Sequence, residues 1–210
     1  VAFIYDGGSE AVMMATPSDL EDFAVGFSLN EAIVTEASQI ARLEVVEAEL
    51  GVELRLWLTP GLSARLSARR RHRAGPTGCG LCGVESLEDA LPKLSPVTAE
   101  LRVAAGDLTT AMAQMAAGQS LNQQTHAVHA AGFYRPGEGV VLVREDVGRH
   151  NALDKLAGAM ARQGMSAADG VVLMTSRLSV ELVQKAAAMG AGILAAVSAP
   201  TALALRAAEA

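Results

Sequence analysis

Two hydrophobic periods divide this chain. Near the start, Ala2 to Tyr5 reads as a short strand, Asp6-Gly7-Gly8 as a hairpin turn, and Ala11 to Ala15 as the partner strand. Thr16-Pro17-Ser18-Asp19 opens a helix: Thr16 is the expected cap, Pro17 suits the first helical position, and Asp19 reaches back toward the cap. Leu20, Phe23, Ala24 and Phe27 then recur at helical spacing, which predicts one buried face. From Ile40 to Leu58 the period is two. Leu43 and Val45 alternate with Arg42, Glu44 and Glu47, and Val52, Leu54, Leu56 and Leu58 with Glu53, Arg55 and Trp57. With Gly51 between the runs, this predicts a second hairpin with one wet face.

After Asp107 the pattern changes. Met112, Met115 and Ala116 share one predicted helix, and Thr125 to Ala131 reads as a helix start with His126 and His129 on one face. Val140 to Val143, Val171 to Met174 and Ile193 to Val197 are apolar throughout. Helices are expected after them near Asn151 to Arg162, Ser179 to Met189 and Thr201 to Ala208. Strands buried on both faces, each followed by a helix, predict a parallel or mixed sheet covered on both sides. The expected division is a hairpin-rich α+β part over residues 1–100 and an α/β part over residues 101–210.

Composition sharpens this in three ways. Forty of the 210 residues are alanine and seven are aromatic, so the core is one of closely packed small side chains. The net charge of −6 argues against a general nucleic-acid binder. No apolar run reaches the roughly 18 residues of a membrane span, and no signal-peptide pattern is visible, so no membrane association is expected. The alanine-rich faces also allow close subunit packing, and a homodimer is the expected assembly.

The only two cysteines, Cys79 and Cys82, cannot form a disulfide framework for a chain of this size, so they point to chemistry. They lie in Gly78-Cys79-Gly80-Leu81-Cys82-Gly83, a loop by composition that ends before a short predicted helix at Leu87 to Leu91. Five of the 14 arginines fall between Arg65 and Arg73, and Arg69 to Arg73 lie six to ten positions upstream of Cys79. Such cations favour a thiolate, or bind phosphate. Three readings stand: a sulfur-carrying or redox pair, half of a zinc site completed by two of His72, His126, His129 and His150, and a plain glycine-rich turn. The histidine spacing matches no standard zinc finger.

Three polar segments follow apolar strands: Arg144-Glu145-Asp146-Val147-Gly148-Arg149-His150-Asn151, Thr175-Ser176-Arg177-Leu178-Ser179, and Ser198-Ala199-Pro200-Thr201. Ligands of open α/β sheets bind beyond such strand ends, and helix N-termini there favour anions. The plainer reading of each is helix capping with solvated charges.

The chain resembles the FdhD/NarQ family, the accessory sulfurtransferases needed to make formate dehydrogenase active. The resemblance rests on Thr16-Pro17-Ser18-Asp19 through Phe27, on Cys79-Gly80-Leu81-Cys82-Gly83, and on His129-Ala130-Ala131. It extends over Glu145 to Lys155, Thr175 to Ser179, and Val197 to Thr201. It implies a three-layer α/β/α sandwich of cytidine deaminase-like type with the smaller N-terminal α+β part. It implies a cytoplasmic protein that accepts sulfur from an IscS-type cysteine desulfurase and carries it as a persulfide on Cys79, with Cys82 sharing or assisting. That sulfur passes to the molybdenum cofactor, a bis-molybdopterin guanine dinucleotide, before the cofactor enters formate dehydrogenase. Guanine-nucleotide binding is expected, with GDP as a mimic. The residues expected at the cofactor are His129, Arg149, His150, Asn151, Ser176, Arg177, Ser198 and Thr201, and no resident metal is expected. A cofactor-binding chaperone without sulfur chemistry is one alternative. A zinc hydrolase of the deaminase type is another, against which no histidine is followed two residues later by glutamate.

Overall fold

The computed structural model describes residues 1–62 and 96–209 and contains two four-stranded sheets. The first is ordered β2-β1-β4-β3, from β1 (Ala2–Tyr5), β2 (Gly8–Val12), β3 (Ile40–Ala48) and β4 (Gly51–Leu58). Both predicted hairpins form, and β1 lies parallel to β4. Phe3, Tyr5, Leu54 and Leu56 are fully buried beneath α1 (Leu20–Asn30). Phe23 of that helix meets Phe3 edge-on, with ring centroids 5.0 Å apart, and Phe27 meets it at 4.2 Å. The alternate face of β4 carries Glu53, Arg55 and Trp57, the wet face that the period of two predicts.

The sequence expectation for α1 needs two corrections. Thr16 does not cap it. Asp19, in the left-handed region at φ 51°, is the N-cap residue and makes no side-chain capping bond. Nor is α1 buried on one face only, because every residue from Asp22 to Ser28 is buried. Its second face packs on α4 (Arg149–Arg162), where glycines allow the backbones to meet. A Cβ on Gly26 would stand 1.7 Å from the Asp154 carbonyl oxygen, and one on Gly158 would stand 1.8 Å from that of Asp22.

The second sheet is ordered β6-β5-β7-β8, from β5 (His129–Arg135), β6 (Gly139–Asp146), β7 (Val171–Met174) and β8 (Leu194–Ala196). It is mixed: β5 runs against both β6 and β7, whereas β7 and β8 are parallel. The apolar run of β7 is explained by the two layers that cover it. Val172 and Met174 join Phe133, Leu153 and Leu156 on the side of α4 and α5 (Val180–Ala188). Val171 and Leu173 join Tyr134, Ala111 and Met115 on the side of α2 (Ala105–Ala117). The result is the expected α/β/α sandwich. The buried stripe of α2 is Ala111 and Met115, while Ala116 is exposed.

The predicted helix start at Thr125 is also corrected. The helix α3 (Ser120–Thr125) ends there, because His126 takes a left-handed conformation at φ 50°, and His129 begins β5. The two histidines therefore share no helical face. The last helix, α6 (Ala202–Glu209), follows β8.

Candidate functional site at the strand ends

The strand directions decide where the polar segments meet. Because β6, β7 and β8 all run against β5, their carboxyl ends and the amino end of β5 lie at one end of the sheet. All three polar segments are thus brought together with His129. Side-chain and backbone bonds stitch them. The Ala130 N–H donates to Thr175 Oγ1 at 2.8 Å, the Thr201 N–H donates to the Leu178 carbonyl at 2.9 Å, and Leu178 bridges Pro200.

The acidic part of the first segment is not a solvated charge cluster. Glu145 and Asp146 are buried and fully occupied. The Glu145 carboxylate accepts the Leu121 and Asn122 N–H groups, both at 2.8 Å, and so caps the start of α3. Asp146 Oδ2 pairs with Lys155 Nζ at 2.7 Å, both side chains being inaccessible, and accepts the Thr16 N–H at 2.9 Å. Its Oδ1 accepts from the Gly148 N–H at 2.8 Å and from Asn151 Nδ2 at 2.9 Å. Asn151 Nδ2 also donates to the Met14 carbonyl at 2.9 Å. Lys155 donates further to the carbonyls of Thr16 and Glu145 at 3.0 and 3.1 Å, and the Val147 N–H donates to Thr16 Oγ1 at 3.0 Å. Thr16, the expected cap, is instead a strap across this loop. Asn151, expected at the cofactor, has its amide nitrogen committed to the same network.

That network fixes the backbone entering α4, whose first two residues are Arg149 and His150. Both keep buried side-chain nitrogens without a partner, Arg149 Nε and His150 Nε2. Burial, then the Arg149 and Lys185 cations, lowers the His150 pKa to about 4. Burial and Arg149 also lower that of His129, so Arg149 lies within electrostatic reach of both imidazoles. Unpaired buried polar groups are costly in a folded chain, and this cluster is a candidate ligand site.

Ser176 is buried and donates its hydroxyl hydrogen to the Arg177 carbonyl at 2.9 Å, while Arg177 and Ser198 are exposed. Thr201 Oγ1 accepts the Ala204 N–H at 3.2 Å and so caps α6. Glu181, which the sequence did not single out, and Ser179, the last residue of the second polar segment, also belong to the cluster: Glu181 Oε2 is buried without a partner, and the Ser179 hydroxyl helps to hold the Glu181 carboxyl below its ordinary range. Their signal in the sequence was a Ser-x-Glu at a helix start, which reads as ordinary capping. The expected catalytic pair, Cys79 and Cys82, lies outside the described residues, as do Arg65 to Arg73, His72 and the helix expected at Leu87. No helix among the described residues is long and apolar enough to cross a membrane.

The model of the FdhD/NarQ family matches residues 1–210. The chain is 56% identical over 212 residues to the sulfur carrier protein FdhD of Agrobacterium fabrum, covering all of this chain and 78% of that protein. It is 54% identical over 209 residues to the sulfur carrier protein FdhD of Cupriavidus necator, covering all of this chain and 73% of the relative. A crystal structure of a candidate formate dehydrogenase accessory protein from Desulfotalea psychrophila has the same fold. Its TM-score is 0.73 at 24% identity, over 99% of this chain and 76% of that one.

Proposed function

The chain belongs to the FdhD/NarQ family, and from that premise we propose that it is a sulfur carrier that serves formate dehydrogenase. The observation that carries this reading is the full-length identity of 56% to a sulfur carrier, in a chain whose only thiols are Cys79 and Cys82. The sulfur chemistry follows from nucleophilicity. The Cys79 thiolate attacks the outer sulfur of a cysteine desulfurase persulfide. A new S–S bond forms on Cys79, the old one breaks, and the desulfurase thiolate leaves. The arginines that precede the cysteines in the sequence favour ionisation of the thiol, and Cys82 shares or resolves the carried sulfur. The reaction partner is an IscS-type desulfurase, the setting is the cytoplasm, and the working assembly is a homodimer.

The substrate that receives the sulfur is the molybdenum cofactor, a bis-molybdopterin guanine dinucleotide, which supplies the metal centre. What this chain supplies is the platform. The unpartnered Arg149 and His150 atoms fit a polar ligand, and Arg177, Ser198 and His129 surround the same sheet end. A clean test is intact-mass measurement after incubation with desulfurase and cysteine. One added sulfur atom on Cys79 is expected, and no added mass on either cysteine would sink the reading. The chaperone alternative is favoured by a platform built from residues remote in sequence from the thiols. A Cys79→Ala variant that still activated formate dehydrogenase in a deletion strain would decide for it.

A further inference from the structure

The helices α4 and α5 follow strands that run the same way and pack on one side of the second sheet. Each carries two polar residues one turn apart, His150 and Asp154 on α4 and Glu181 and Lys185 on α5, and such residues share a helix face. The later members meet. Lys185 Nζ donates to Asp154 Oδ1 at 2.8 Å and to Oδ2 at 3.0 Å, with the two side chains 12% and 3% exposed. The earlier members, His150 and Glu181, lie within electrostatic reach of one another, and each keeps a buried atom without a partner. A closed rung thus lies below an open one. The closed rung is also gripped from the end of α1. Asn30 Nδ2 donates to Asp154 Oδ1 at 2.7 Å, and Glu31 Oε1 accepts from Lys185 Nζ at 3.4 Å.

A buried ion pair adds little stability over an apolar pair of similar volume, and its best-attested use is to fix the register of packed elements. The apolar residues that α4 and α5 bury, Leu153, Leu156, Leu182 and Ala186, supply contact without direction. The two-oxygen bond of Lys185 to Asp154 supplies the direction. Burial lowers the Lys185 pKa, but the Asp154 and Glu31 carboxylates outweigh it and hold the ammonium charged. We propose that Lys185 is a positioning residue of the platform: by closing the lower rung on Asp154, it sets the spacing at which Glu181 faces Arg149 and His150 one turn above. It acts through those residues rather than on a ligand. Because Asn30 and Glu31 grip the same rung, the spacing depends on the end of α1 as well. This assignment rests on the reading that the strand ends form the ligand platform.

The test compares wild type, Lys185→Met and the double variant Lys185→Met with Asp154→Asn, by denaturant unfolding, by calorimetric titration with GDP, and by NMR titration of the His150 ring. Lys185→Met strands the Asp154 carboxylate and should lose stability, and the double variant, which removes that charge, should regain part of it. Both variants leave the rung open, so GDP affinity is expected to be about tenfold or more below wild type in each. If Lys185→Met does not fold, the double variant decides. A double variant that binds GDP as wild type does overturns the proposal, because Lys185 then only neutralises Asp154. The His150 ring is faced by Arg149 on its own helix, by Arg177 before α5, and by Glu181 and Lys185 on α5. It titrates near 4 in wild type and is expected to titrate higher in both variants, and an unchanged value overturns the proposal as well. Wild type that does not bind GDP at all removes the platform reading and the proposal together, whereas binding undiminished in the double variant removes the proposal alone.

Discussion

His150 illustrates how position, rather than residue type, sets chemistry here. Its imidazole titrates near 4 in the folded chain, chiefly through burial, and near the ordinary value of about 6.5 once unfolded. Between those values the unfolded chain binds more protons, so stability falls as the pH drops through that window and is level above it. Replacing His150 with Gln should flatten this part of the pH–stability curve, read from denaturant unfolding at several pH values. An unchanged slope between about pH 6.5 and 4 would contradict the burial argument. Other residue assignments were less legible. Glu145, Asp146 and Asn151 look the same in sequence whether solvated or buried. Their partners, Leu121, Met14, Thr16 and Lys155, lie on other elements, some more than a hundred residues away. Local pattern carries no trace of such pairing.

Among the elements, those built on a plain hydrophobic period were read correctly: both N-terminal hairpins, the β7 run and the helices after β6 and β7. The errors came where a short polar stretch could take two forms. His126 and His129 match helical spacing, but a left-handed residue breaks the chain between α3 and β5. The α1–α4 contact was invisible, because a glycine inside a helical pattern does not announce what it will touch. That contact is sharply specified: at Gly158 a methyl group would meet backbone rather than a movable side chain. Gly158→Ala should therefore destabilise the fold by about 3 kcal/mol or more, as overpacking does when nothing can yield. For a chain of this size that is a fall of roughly 6–12 °C in Tm by calorimetry. A Tm within about a degree of wild type would show that the helices separate freely.

Across the whole molecule, the two sheets are joined by charge as well as by the glycine contact. Asp22 on α1 pairs with Arg144 of β6 and with Arg162 of α4, and Arg162 also pairs with Glu21. Deeper in, Lys155 ties the Thr16 strap to Asp146 and Glu145. Removing one member of a buried pair leaves the other as an unpaired charge. Lys155→Met should cost about 3–5 kcal/mol, and Lys155→Met combined with Asp146→Asn should recover part of it. Chemical denaturation of the three proteins checks this, and a double variant less stable than the single one would refute it.

The same joint has a consequence for synthesis. The first sheet has all its strands once β4 has emerged, but the second face of α1 waits for α4, which ends at Arg162. At ribosomal rates of about 5–20 residues per second, the interval from Asn30 to Arg162 lasts roughly 7–26 s. For that time a nascent chain shows the glycine-lined side of α1 to the cell, sealed only when the platform helix arrives.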